Sequence, residues 1–174
     1  NSRRDCQDHQ QDDQQHRNLP LAPHRELRLP HLYPFPARFK TVRTMGVEEE
    51  LLLVSSADGR PAAIADDVIS ADELLIEMGV ADADTQIEHE FKQEQAEVAS
   101  TPCHTLGELR GELVAQRAKV AQAALLHHGL AVAIATSPVK VRAHQTDDER
   151  YLRMSSTFGL LAREQLTCGQ HVHI

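Results

Sequence analysis

Residues 45–54 read Met-Gly-Val-Glu-Glu-Glu-Leu-Leu-Leu-Val (MGVEEELLLV), and the rest of the chain is best understood outward from them. The apolar, partly β-branched second half predicts a strand over 47–54. Side chains alternate faces along a strand, so Glu48 and Glu50 fall on one side and Glu49 on the other. Two carboxylates on one inward face repel, which raises one pKa and costs stability unless a cation lies between them. Magnesium, a hard ion that takes oxygen ligands, suits such a pair. An isolated Glu-x-Glu more often marks a solvated sheet edge, so the pattern alone leaves both readings open.

After this stretch, SSADGRP (55–61) holds the Asp58-Gly59 pair of a tight turn and predicts a hairpin. Ser70 and Glu73 have capping-box spacing ahead of Leu74, Leu75, Ile76 and Met78, with Gly79 as a stop, which predicts a short helix over 71–78. Residues 86–100 read as a strand pair or one long strand ended by Pro102. Thr105 and Glu108 form a second capping box before the longest helix, which Gly129 closes. LAVAIAT (130–136) predicts a buried strand, and 147–157 a helix with Asp147, Asp148 and Glu149 at its positive end. The final segment, 160–174, reads as one long strand. Strands and helices mix without a regular βαβ period, so the expected class is α+β with an antiparallel sheet.

Before the first strand the composition changes. Residues 1–40 are rich in Gln, Asp, Arg and His and then in proline (Pro20, Pro23, Pro30, Pro34, Pro36), which predicts a disordered leader. Met45, directly before the strand, offers an alternative natural start. The 174 residues suffice for one core, and 18 Lys+Arg against 26 Asp+Glu give a net charge of -8 with no basic stripe, against a nucleic-acid partner. Cys6, Cys103 and Cys168 fit neither a disulfide framework nor a CxxC metal site, and point to the reducing cytoplasm. No apolar run nears the roughly 18 residues of a membrane span, and no signal-peptide order opens the chain. The apolar end at Ile174, inside an expected strand, suggests a chain cut within a domain.

Two further segments carry chemistry. QIEHEFKQEQAEVASTP (86–102) supplies Glu88, Glu90, Glu94 and Glu97. Unbroken strand alternation would set Glu97 opposite Glu90, so a bulge is expected if both face inward. Such a Glu-rich run is usually a wet face, yet Val98 and Ala99 place Glu97 beside buried backbone. In CGQHVHI (168–174), His171 and His173 share a face and can reach a metal or a phosphate, or simply be hydrogen-bonded. Gly169 before them permits close approach of a ligand or another backbone. With no Walker loop, GxGxxG turn or GxSxG elbow present, ATP would have to be held through magnesium.

Taken together, MGVEEELLLV (45–54), AEVASTPC (96–103), TLGELRGEL (105–113) and FGLLAREQLTCGQHVHI (158–174) resemble the carboxylate-amine ligases of the glutamate-cysteine ligase type 2 family. The resemblance runs from about residue 41 to 174 and implies the N-terminal part of a ligase catalytic domain. It implies a glutamine synthetase-like fold, a curved antiparallel sheet with flanking helices, here truncated. The implied reaction is ATP-dependent ligation, in which the γ-carboxylate of glutamate becomes an acyl phosphate that the amine of cysteine, or a similar amine, displaces. Close members are weak glutamate-cysteine ligases. By the same resemblance Glu48 and Glu50 hold magnesium and, through it, ATP. Glu97 is a second-strand acid with both a metal and a catalytic role, and Glu90 is a further metal-facing acid. His171 lies near metal and phosphate oxygens as a catalytic and cofactor-binding residue, whereas His173 receives no metal. Gln170 departs from the family, which more often has an apolar residue there. The family's later acids and nucleotide contacts lie beyond Ile174, so residues 1–174 alone are expected to be inactive, and a homo-oligomer is left open. Two other readings remain at this point: a zinc-type amide hydrolase using His171 and His173, and a noncatalytic module on a ligase-like scaffold.

Overall fold

Strand β1 (Gly46–Ser55) is the one on which the other elements are ordered. The computed structural model describes residues 43–174; the leader expected over 1–40 lies outside them. One edge of β1 pairs with β3 (Gln95–Ala99), which in turn pairs with β2 (Ile87–His89). The other edge is shared end to end. There β5 (Gln170–His173) takes residues 46–49 and β4 (Gly129–Val132) takes residues 52–55. Every pairing is antiparallel, and with four helices among the described residues the fold is α+β, built on an open five-stranded antiparallel sheet.

The run Leu51–Val54 is buried on both faces, which is why it reads as continuous apolar sequence. Leu51 and Leu53, with Ala96, Val98 and Ile87, pack beneath helices α1 (Ala65–Glu77) and α2 (Leu106–Leu126). Those helices present Val68, Ala71, Val120 and Ala123, small residues that let them approach the sheet closely. Leu52 and Val54 face the other way, onto Leu166, Cys168, Val132 and Ile134. Each buried leucine contributes about 2 kcal/mol. Glu49 is on the helix side, 4% exposed, where Arg117 of α2 grips it through Nε at 2.7 Å and Nη2 at 2.5 Å.

Several expectations change for tertiary reasons. The helix expected over 71–78 begins at Ala65, and Ser70 and Glu73 are inside it. Gln93 meets its first turn instead: Ala65 N donates to Gln93 O (3.0 Å) and Asp66 N to Gln93 Oε1 (3.3 Å). The Asp58-Gly59 turn forms, with Gly59 at φ 70°, but the return is a single bridge from Val54 to Pro61 rather than a strand. Proline has no N–H to extend that ladder. Residues 86–100 are the strand pair. Thr105 caps α2 by accepting from Glu108 N at 3.1 Å. The turn after α2 is made by His128 at φ 56°, while Gly129 opens β4, where a Cβ would lie 2.4 Å from Ile64 Cδ1. The strand expected over 130–136 is limited to 129–132, and it is an outer strand whose Leu130 is exposed, not a buried one.

Helix α3 (Glu149–Phe158) lies where expected, with Asp148 accepting from Arg150 N at 2.7 Å. The single long strand over 160–174 is absent. Gly159, at φ 54°, turns the chain straight into α4 (Leu160–Glu164), and only 170–173 is strand. Buried Lys92 donates to Ala162 O at 2.7 Å and so satisfies a carbonyl of this short helix. Among the described residues no helix is long and apolar enough to cross a membrane.

Replacing Arg117 by Met would leave the Glu49 carboxylate buried and unpaired. Half of the Arg117 side chain is exposed, so the expected loss is about 2 kcal/mol rather than the full cost of a buried pair. Urea unfolding of the full-length protein checks this. The double variant Glu49→Gln/Arg117→Met should recover part of the loss, and additive losses would contradict the pairing.

Candidate active site

Cross-strand partners in an antiparallel sheet share a face, so the register decides which acids meet. Glu50 pairs with Glu97, and Glu97 with Glu88, which sets three carboxylates in one row across β1, β3 and β2. In the neighbouring row Glu48 pairs with His171 on β5. Glu49 projects to the opposite face, under α2. Glu90 follows β2 directly, in the connection to β3. Because that connection is a turn, alternation does not run from 90 to 97, and the expected bulge is not needed. Glu90 is close enough for its charge to act on both Glu97 and Glu50. Its backbone C=O is fixed by Thr146 Oγ1, which donates at 2.7 Å.

The acids differ in what neutralises them. Glu48 Oε2 lies 3.2 Å from His173 Nε2 and 3.3 Å from His171 Nδ1, and these contacts, that with His173 foremost, pull its pKa down. His173 thus belongs to the site's polar network through a hydrogen bond, one of the readings its strand spacing left open, while the resemblance gave it no metal. Burial pushes the Glu50 carboxyl up, opposed by Gly169 N, which donates to Oε2 at 2.8 Å. Glu97 is pushed up to about 7, first by burial and then by the like charges of Glu90, Glu48, Glu50 and Glu88. Every one of these causes acts in the same direction.

Gly169 allows the close approach that its sequence position suggested. A Cβ there would lie 3.3 Å from Glu50 Oε1 and 3.4 Å from His171 Nε2, so a side chain would fill the space between these two groups. The donors on this face are mainly carboxylate oxygens, Glu97 is raised with nothing opposing the shift, and Glu50 is only partly relieved by the Gly169 amide, a combination that fits a hard divalent cation such as magnesium. Among the described residues no three His, Cys, Asp or Glu side chains are already drawn together as a ligand set. The acids share a face and a field rather than a closed cage. Hollows of about 280 Å³ and 260 Å³ border the site, the first beside Glu48, Ser100 and His173, the second beside Glu50, Ile134 and Gly169.

Two contributors escaped the sequence reading. Arg117 is one, since nothing local links a helix arginine to a strand glutamate. Gln95 is the other: it is two residues before Glu97 on the same face, fully buried, and donates to Thr167 O at 2.8 Å. A polar residue at strand spacing from a candidate ligand was the available signal.

Comparison with known proteins gives the family. The family model of glutamate-cysteine ligase family 2 matches residues 44–174, and the chain belongs to that family. It is 44% identical over 133 residues to two proteins of Paenarthrobacter aurescens (strain TC1), provisionally named glutamate-cysteine ligase 2-3 and 2-1. These matches cover 76% of this chain and 30% and 35% of the relatives. A provisionally named glutamate-cysteine ligase 2-2 of Frankia alni is 41% identical over 140 residues, covering 76% of this chain and 37% of the relative. The chain thus spans about a third of the length of these relatives.

Glu97 titrates near 7 in the fold against an ordinary 4.5, so its proton is held more tightly when folded. Metal-free protein should therefore lose stability as pH rises from about 4.5 to about 7 and carry the full penalty above that window. Glu97→Gln removes the penalty. With screening of a half-exposed group allowed for, the variant should be more stable by about 1 kcal/mol at pH 8 and equal to wild type at pH 4. Melting temperatures in chelator at both pH values check this, and a variant less stable at pH 8 would contradict it.

Proposed function

We propose that residues 41–174 form the N-terminal part of the catalytic domain of an ATP-dependent, magnesium-requiring carboxylate-amine ligase with weak glutamate-cysteine ligase activity. The observation that carries this reading is the facing pair Glu50 and Glu97, held on one sheet face with Glu97 raised to about 7. A cluster of that kind is costly without a cation and useful with one. Family membership and the names of the relatives support the ligase class. In this reading the sheet is one part of a curved, glutamine synthetase-like sheet that the rest of the protein extends. The free, buried Cys103 and Cys168 suit a cytoplasmic enzyme.

The chemistry needs two displacements. The γ-carboxylate of glutamate attacks the γ-phosphorus of ATP, the bond to the β,γ-bridging oxygen breaks, and ADP leaves. The amine of cysteine, or of a similar acceptor, then attacks the acyl carbon, loses a proton and expels phosphate. Magnesium, when bound, would supply positive charge that offsets the charge developing during transfer. Glu50 and Glu97 would hold it from facing strands, with Glu48 and Glu90 at the margin. His171, already oriented by Glu48, would donate to a phosphate oxygen or complete the ligand set.

In full-length protein, phosphate release should require ATP, glutamate, an amine and magnesium together. Glu97→Gln and Glu50→Gln should each lower turnover by roughly two orders of magnitude or more, the scale of a lost preorganised electrostatic group, with melting temperature preserved or, for Glu97→Gln above pH 7, raised. Amide hydrolysis without ATP, or near-normal turnover in both variants, would overturn this function.

A further inference from the structure

Gln95 links the acid face to the chain that enters β5. It pairs across to Leu52 on β1, and its side chain crosses the face of β1 toward the segment joining α4 to β5. Its Nε2 donates to Thr167 O at 2.8 Å, and the same nitrogen lies 3.4 Å from Glu50 Oε2 and 3.6 Å from Cys168 Sγ. Thr167 O takes one of the amide's two N–H groups, and the other is left for Glu50 Oε2 or Cys168 Sγ. That Glu50 oxygen is the one Gly169 N also reaches, at 2.8 Å. Glu50 N donates back to Gly169 O at 3.0 Å, closing a ring of contacts between the acid and the segment that Gln95 tethers. Oε2 is thereby engaged from two sides, while Oε1 lies toward the space left by the missing Gly169 Cβ, beside His171 Nε2.

We propose that Gln95 is a positioning residue for Glu50, pinning Oε2 together with the Gly169 amide so that Oε1 is presented to the cation. This rests on reading Glu50 as a magnesium ligand. The residue type fits the task. An amide donates without charge, whereas glutamate at 95 would add a like charge to a crowded face, and an apolar side chain would fill the volume and donate nothing. Groups behind a ligand fix its rotamer, and losing one typically weakens metal affinity by about tenfold or more. The far side of the same segment is held separately: Thr136 Oγ1 donates to Leu166 O at 2.6 Å and Cys168 N to Ala135 O at 2.8 Å. Loosening the segment can therefore be separated from releasing Glu50.

The test titrates full-length protein with Mn²⁺, observed by electron paramagnetic resonance, and measures melting temperature for wild type, Gln95→Met, Glu50→Gln and Thr136→Val. Gln95→Met should raise half-saturating Mn²⁺ about tenfold. It should shift magnesium activation by a similar factor, with most of the lost turnover regained at high magnesium. Thr136→Val should lower the melting temperature and leave Mn²⁺ affinity as in wild type. If Gln95→Met melts below the assay temperature, Gln95→Asn, one methylene too short to reach Glu50, decides by the same criterion. Wild-type Mn²⁺ affinity in the Gln95 variant, alongside its loss in Glu50→Gln, would overturn the positioning role and leave the ligase reading standing. Equal weakening by Thr136→Val would also overturn it, by tracing the effect to the segment's stability. A wild-type protein that takes up no Mn²⁺ would overturn both this role and the metal site itself.

Discussion

The alternation of side chains along β1 is the constraint on which the rest depends. Three consecutive glutamates cannot all face one way in a strand, so one must enter the helix-covered core or two must. The fold sends one. Glu49 goes under α2, where Arg117 offers a planar two-point partner, and Glu48 and Glu50 go to the open face. A register slip by a single residue would drive Glu48 and Glu50 beneath the helices and bring Leu51 and Leu53 out, exchanging one compensated buried charge for two bare ones. The buried ion pair is therefore better understood as a lock on register than as a source of net stability. Once that register is set, Glu50 must meet Glu97, and Glu48 must meet His171.

The acid face itself is graded. Glu48 is met by two imidazoles, Glu50 by a backbone amide and a more distant carboxamide, and Glu97 chiefly by other acids. Its pKa directions follow the same order, from lowered through raised to about 7. A cation would gain most where neutralisation is least, between Glu97 and Glu50 rather than at the histidine end. This gradient also distinguishes the face from an ordinary solvated sheet, where burial would not dominate the shifts.

What could be read from sequence follows from how far apart the interacting residues are. The alternation of Glu48, Glu49 and Glu50 is local and was legible, as were the Thr105 cap of α2 and the acidic start of α3. The start of α1 was not, because its first amides are satisfied by Gln93, some thirty residues later in the chain and on a different element. Residues 160–174 misled for a similar reason. Leu160–Glu164 forms a helix only because Gly159 adopts a positive φ and Lys92 meets the Ala162 carbonyl, neither of which leaves a periodic trace. The phase between Glu90 and Glu97 turned on whether 86–100 was one strand or two, and a turn resets alternation where a continuous strand cannot.

The split edge of β1 explains why the site lies where it does. A single continuous partner along residues 46–55 would present one uninterrupted ladder, with side chains on the acid face and backbone amides spent on pairing. Here β5 and β4 divide that edge, and the chain entering β5 departs from β1 at Gly169. Glu50 stands at the parting. Its backbone N–H still holds Gly169 O, while the Gly169 N–H is free to turn to the Glu50 side chain instead of a neighbouring strand. Just upstream, Cys168 N is already committed to Ala135 O, so the chain is bent away from β1 at this point. A backbone donor aimed at a carboxylate is thus a product of topology, and glycine suits it because a Cβ would crowd Glu50 Oε1 at 3.3 Å and touch His171 Nε2 at 3.4 Å. The interruption in pairing, the bare Cα and the positioned acid are one structural event, placed where the two rows of the acid face meet.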